Sequence, residues 1–389
     1  MAGLASLVIA AGLLAAVVPV SAGADTPSQQ FPPVNEPGVT STQINVGGVV
    51  AKTNPLGGDY AAAFNGVQAY FNMVNASKDK GIYGRKLNLS SKRDDQVGMN
   101  RQEVQGLISE DNVFAVLPVA TLLFTGADLL GQSGIPTFGW NINAEWGSEQ
   151  AAGPPNLFGE KGSFLCFTCP TQTLPWLAQK LHKKKIGVLA YQVPQSADCA
   201  KGVQFVLTCV DLQESFTLAK EMKKQGLNAN QYLPNAYNQK FISENAPFFQ
   251  GSYALTFFTP FEVKQKPPGL KDFQKWMKKG GFEQNENAMA GWINADQFVT
   301  GLKEAGPDFS RQKLVDAINA EKNFTANGLL AGIDWSVAHQ ADQAQGCTVL
   351  SKIDNGKFVP SFGQTGKPFV CFQLNPLPDK LQSQPTLKG

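Results

Sequence analysis

The chain is 389 residues long, 43% hydrophobic and 16% charged, which is enough apolar material for real cores and too little charge for a disordered polymer. Thirty-three lysines and arginines stand against 31 aspartates and glutamates, so no basic excess exists to coat a phosphate backbone, and nucleic acid is not an expected partner. The two histidines, His182 and His339, are far apart, which argues against a multi-histidine zinc site.

Leu4 to Val20 is an apolar run short for a membrane span, and Val20-Ser21-Ala22-Gly23-Ala24 offers the small residues a signal peptidase needs. Residues 1–24 read as a signal peptide, with an uncleaved anchor as the alternative. Residues 25–40 read as a polar, proline-rich leader. Export to the periplasm, cell envelope or exterior is the expectation. Ile44 to Ala51 then reads as a strand, followed by a loop, and Asp59 as the cap of a helix to about Ala76. After the turn Gly81-Ile82-Tyr83-Gly84 come a strand at Lys86 to Ser90, a helix at Met99 to Glu110, and a buried strand at Val113 to Ala120. A helix to Gln132 and a strand at Ile135 to Phe138 complete the set. Strands alternating with helices predict a parallel sheet covered on both faces.

A second set starts near Thr171. It has a helix at Gln172 to His182, strands at Lys185 to Tyr191 and Gln204 to Val210, and a helix at Leu212 to Gln225. Further strands are expected at Gln231 to Leu233 and Tyr253 to Phe258. Helices follow at Lys271 to Lys279, Ala288 to Ala305 and Lys313 to Ala320, then a hairpin around Asp354-Asn355-Gly356. The pattern predicts one α/β lobe over 41–160 with a return segment at about 285–335. A second lobe would span 161–284 with a C-terminal segment at about 336–375, and 376–389 would be a tail.

Six cysteines suit an oxidising compartment. Proximity favours Cys166–Cys169, Cys199–Cys209 and Cys347–Cys371, the last foremost. The Cys166-Phe167-Thr168-Cys169 spacing also fits a redox dithiol, though no second such pair exists and Pro170 follows it. No GxSxG, Walker loop or GxGxxG is present, so neither an enzyme nor a cofactor is expected. Arg93-Asp94-Asp95 could suggest metal-binding carboxylates; a surface pair or hinge contact is the favoured reading.

The order of these pieces resembles the type I periplasmic solute-binding proteins, specifically the branched-chain amino acid (Leu/Ile/Val) receptors of ABC transporters. The resemblance rests on Ile44-Asn45-Val46-Gly47-Gly48 with Pro55-Leu56-Gly57-Gly58, Gly66 to Asn75, and Gly81-Ile82-Tyr83-Gly84-Arg85-Lys86-Leu87. Arg93-Asp94-Asp95, Val113 to Val119, Gly134-Ile135-Pro136 and Phe205 to Gly226 extend it over most of the chain. It implies two doubly wound α/β lobes joined by a hinge of three crossings, with the solute held between the C-terminal ends of the strands. It also implies a small-molecule ligand, ABC permease subunits as partners, and contact with the membrane only through that permease. One departure stands out. Only about a dozen residues separate Tyr191 from Gln204, where the family has a helix, a strand and a second helix. The second lobe is therefore expected to be shorter by about one βαβ segment, with its first and third strands adjacent.

By this resemblance the first-lobe ligand contacts fall at Ala120-Thr121 and at Trp140 and Asn141. Thr121 would offer a hydroxyl or simply cap a helix; Trp140 would be a stacking wall or a packed aromatic. The second-lobe loops hold Tyr191, Gln195, Asp211, Asn235 and Tyr237. The family's ammonium-binding glutamate would fall near Asn235 and is missing. Asp211 is the acidic residue placed to replace it, with the N-cap of the Leu212 helix as its alternative role. The expected function is a secreted receptor for an amino acid, amide or related small acid. A ligand-sensing protein of the same fold, or a non-binding paralogue, is the alternative.

Overall fold

In the computed structural model, residues 31–148, 151–163, 172–184, 187–190, 207–227, 229–340, 346–373 and 385–388 are described. The first sheet is parallel, with order β2-β1-β3-β4-β5. Its strands are β1 Gln43–Val50, β2 Lys86–Asp94, β3 Ala115–Ala120, β4 Thr137–Gly139 and β5 Leu157–Gly159. β3 is buried along its whole length, as its unbroken apolar run requires of a central parallel strand. Helices α1 Ala62–Asn75, α2 Asn100–Ser109 and α3 Ala127–Ser133 connect the strands. β5 was not anticipated: its three residues, Leu157-Phe158-Gly159, follow two prolines and are too few to show a period. Asp59 does not cap α1. The N-cap position is Ala61, without a side-chain bond, and the Asp59 carboxylate instead accepts from Asn285 Nδ2 at 3.3 Å.

The second lobe contributes α4 Thr173–Lys180, β6 Val188–Ala190, β7 Leu207–Cys209, α5 Leu212–Lys224 and β8 Tyr232–Leu233. Two short helices, α6 Gln239–Glu244 and α7 Ala246–Phe249, precede β9 Tyr253–Thr256. β6 to β9 run parallel, and β6 pairs directly with β7, so the two strands flanking the short link are neighbours as expected. Among the described residues β6 ends that sheet. Helices α8 Pro268–Gly280, α9 Glu286–Ala305 and α10 Arg311–Ala320 come next, and α9 packs on α1, β3 and β4 of the first lobe. The chain then returns to the second sheet as β10 Cys347–Asp354, β11 Lys357–Ser361, β12 Phe369–Cys371 and β13 Thr386–Lys388. It thus passes between the two lobes three times, once from strand to strand and twice by way of these helices. The segment read as a tail in fact ends in β13, which pairs antiparallel with β12. Every element lies in one unit, Pro32–Gly389.

α1 and α9 cross closely because each brings a glycine to the contact. A Cβ on Gly66 would lie 1.9 Å from the Ala288 carbonyl oxygen, and one on Gly291 1.9 Å from that of Ala63. Both helices therefore sit backbone to backbone, with Trp292 and Tyr70 edge to face beside the crossing at 4.8 Å. Arg93 is a structural hub rather than a hinge contact: it pairs with Glu103 at 3.1 Å, Glu110 at 2.9 Å and Asp111 at 2.6 Å. Cys347 and Cys371 stand opposite each other on β10 and β12 and are joined by a disulfide. Cys166, Cys169 and Cys199 lie outside the described residues, as does the side chain of Cys209.

Candidate functional site

In a parallel sheet every strand ends on the same edge, so the loops after those ends collect in one place. In the first lobe that edge carries Thr121 after β3, Trp140 and Asn141 after β4, and Glu160 and Lys161 after β5. The long loop after β1 adds Tyr60. In the second lobe the corresponding edge carries Asp211 after β7, Asn235 to Tyr237 after β8, and Phe257 and Phe258 after β9.

The two edges meet. Tyr60 donates its phenolic hydrogen to Asp211 Oδ1 at 2.7 Å, and its ring lies 5.4 Å from that of Trp140, which is itself buried. Asp211 holds the N-cap position of α5, but its side chain makes no capping bond; it is turned to Tyr60. Burial lifts its carboxyl to about 6, with the Tyr60 hydrogen bond opposing and nearby Glu214 adding to the rise. On the second-lobe side Tyr237 is buried, donates to Glu262 and accepts from the Phe261 amide at 2.7 Å. The Tyr237 amide also donates to Glu286 Oε2 at 3.4 Å, and the Glu286 amide donates to the Tyr237 carbonyl at 3.3 Å. Asn285, just before Glu286, caps α9 by accepting from the Ala288 amide at 3.0 Å.

Three further charged groups occupy the same space. Glu160 and Lys161 approach at 4.0 Å, and the Lys161 ammonium stands 3.7 Å from the centre of the Phe257 ring. Burial raises Glu160 to about 7 against the pull of Lys161, and lowers Lys161 against the pull of Glu160 and Glu286. Glu286 is raised to about 8, first by burial, with Lys161 opposing and Glu160 and Asp211 adding to the rise. Glu160 and Glu286 thus share the Lys161 ammonium, and burial makes both of them, like Asp211, resist ionising. Among the described residues no group of histidine, cysteine and acidic side chains is arranged to hold a metal ion.

The expected residues do not all serve alike. The Thr121 hydroxyl is committed to the buried Asp95 carboxylate and to the Leu123 carbonyl at 3.2 Å. It neither caps α3, whose N-cap position is Gly126, nor stands free. Asn141 donates to the Gly162 and Ser163 carbonyls at 3.0 and 2.7 Å, while its buried Oδ1 has no partner among the described residues. Asn235 is exposed in the turn after β8. Tyr191 and Gln195 lie outside the described residues. Asp211 is not alone as an acid in the cleft: Glu160 and Glu286 were missed. Glu286 opens α9 in first-lobe sequence context, and Glu160 follows the unrecognised β5. Tyr60 was missed because it reads as part of a helix-opening turn.

The chain matches the periplasmic binding protein family over residues 43–203 and 199–357, two stretches that meet inside the short link, and it belongs to that family. Solved structures agree on the fold. A fatty acid ABC transporter substrate-binding protein from Thermomonospora curvata is 19% identical, with a TM-score of 0.67, covering 84% of this chain and 94% of its own. A branched-chain amino acid ABC transporter protein from Thermus thermophilus with bound valine is 16% identical, with a TM-score of 0.66 and coverages of 83% and 96%. A possible leucine/isoleucine/valine-binding protein from Rhodopirellula baltica is 13% identical, with a TM-score of 0.66 and coverages of 82% and 96%. No protein of curated function matches the sequence. The chain is a solute receptor of the periplasmic binding protein type.

Proposed function

We propose that the cleft captures a small solute bearing an amino group, an amino acid, its amide or a related small acid, and delivers it to the permease subunits of an ABC importer. The observation that supports this most is the Tyr60–Asp211 bond at 2.7 Å, which joins the strand-end loops of both lobes inside a buried, charged space. An ammonium group entering that space would supply the positive charge that Asp211, Glu160 and Glu286 lack. Lys161 would face a carboxylate or amide oxygen, and the unpartnered Asn141 Oδ1 an N–H. Trp140, Tyr60, Tyr237 and Phe257 would wall the apolar part. The reading is non-enzymatic. The protein would work outside the cytoplasm, after loss of its N-terminal apolar segment.

A thermal-shift screen against amino acids, their amides, small acids and simple amines tests this. A ligand at 100 times its Kd stabilises by about 2.7 kcal/mol, which is readily seen. Stabilisation by an amino-bearing compound, lost in the variant Asp211→Ala, is the expected result. A panel with no active member would overturn the reading in favour of a non-binding paralogue. Preference for simple carboxylates without an amine would overturn the role given to Asp211.

A further inference from the structure

We propose that the outer face of α8 is a second, independent contact surface and that its partner is an anionic lipid bilayer. Residues 264–279 hold six lysines, Lys264, Lys266, Lys271, Lys275, Lys278 and Lys279, against the single acid Asp272. The rest of the chain has 27 basic and 30 acidic residues, so it is slightly negative while this short stretch carries a net charge of +5. Within α8, Lys271, Lys275, Lys278 and Lys279 are spaced to fall on one stripe. All four are exposed. Leu270, Phe273 and Met277 form the opposite face and are wholly buried. Lys266 donates to Gln274 at 2.6 Å, which ties the preceding loop to the flank of the stripe.

Within the described residues Glu262 feels the charge of Lys266, but little else offsets the stripe. Among the described residues none of the six lysines forms an ion pair with a carboxylate. Like charges at i,i+3 and i,i+4 repel, so the stripe costs helix stability. The helix dipole favours Lys278 and Lys279 at the C-terminal end but disfavours Lys264, Lys266 and Lys271 before and at its start.

The chemistry favours lipid over an acidic protein. All six cations are lysine and none is arginine. Arginine is the residue suited to planar, bidentate capture of a protein carboxylate, whereas lysine is a point charge suited to a diffuse anionic surface. Trp276, half-buried beside the stripe, lies with the Lys279 and Lys275 ammonium groups 4.2 and 5.9 Å from its ring. An amphipathic ring among lysines is the composition found at the headgroup level of membranes. Adsorption through α8 would hold the receptor near the bilayer directly, not only through a permease.

Vesicle flotation of the full chain tests this, with phosphatidylcholine vesicles that contain or lack phosphatidylglycerol. Each lysine near an anionic surface strengthens adsorption by about fivefold. Binding is expected only to the phosphatidylglycerol vesicles, and added salt should weaken it. The variant Lys271→Gln/Lys275→Gln/Lys278→Gln should lose on the order of a hundredfold in affinity. The control Lys220→Gln/Lys223→Gln/Lys224→Gln on α5 should bind as the parent does. If the triple α8 variant fails to fold, the single variant Lys275→Gln should still lose about fivefold. No binding by the parent, equal binding to both vesicle types, or equal loss in the α5 control would each overturn the proposal. Retention on polyglutamate without binding to vesicles would overturn the lipid assignment in favour of an acidic polypeptide.

Discussion

Replacing Asp211 by asparagine should make the unliganded protein more stable while weakening its grip on solute. The carboxyl of Asp211 titrates at about 6 in the fold against an ordinary 3.8. Keeping it ionised at pH 8 therefore costs up to about 3 kcal/mol, since each pH unit of displacement is worth about 1.4 kcal/mol. Asparagine removes the charge, keeps an oxygen for the Tyr60 hydroxyl and nearly preserves the volume. The sign of the pH dependence follows from proton binding. Between pH 4 and pH 6 the folded state holds this proton more tightly than the unfolded chain does, so wild-type stability rises as pH falls through about 6. The advantage of asparagine should thus be greatest near pH 8 and shrink to about half at pH 5. Urea unfolding of both proteins at the two pH values reads this directly. A variant that is less stable than wild type at pH 8, or whose difference from wild type does not change with pH, would refute the placement of Asp211 as a buried, undercompensated charge.

Trp140 is buried against Tyr60, so Trp140→Ala should lower stability by about 3–5 kcal/mol as well as weaken binding. Trp140→Phe, compared by calorimetry, isolates the binding effect, and unchanged affinity would remove Trp140 from the site. Gly291→Ala places a methyl 1.9 Å from the Ala63 carbonyl and should cost about 1–3 kcal/mol or more by thermal unfolding; a neutral result would mean that α1 and α9 are not in close contact. The Cys347–Cys371 bond closes a loop with a sequence separation of 24. Its replacement by two serines should cost about 3 kcal/mol in the chain-entropy account, and free thiols at both positions in secreted protein would contradict it. Hydrogen exchange should open β6 to β9 sooner than β1 to β4, because the second sheet is built from shorter parallel strands with an unpaired β6 edge among the described residues. Equal protection would show that the edge is covered.

What was legible in the sequence follows the strength of its periods. β1, α1 and α9 were readable because each is long, and β3 because its apolar run continues that of Val113 and Phe114. β5, α6 and α7 were not, since three to six residues cannot establish a repeat. The adjacency of β6 and β7 was legible from the short link set against the family pattern it resembles, because so short a link cannot hold another strand and two helices. The position of Asp211 after a strand end was legible. The burial of Glu160 and Glu286 was not, because it is tertiary and neither residue has a local signal. The position of Thr121 directly after β3 was legible, but its hydroxyl bond to Asp95, twenty-six residues earlier, has no local signal.

The most direct test of a two-lobe receptor is small-angle scattering of the protein alone and saturated with the solute found by thermal shift. The saturated protein is expected to scatter with the radius of gyration of the structure, in which the Tyr60 and Asp211 edges already meet, and Asp211→Ala at the same solute concentration with a larger one. A saturated wild-type radius larger than that of the structure would contradict capture between the lobes.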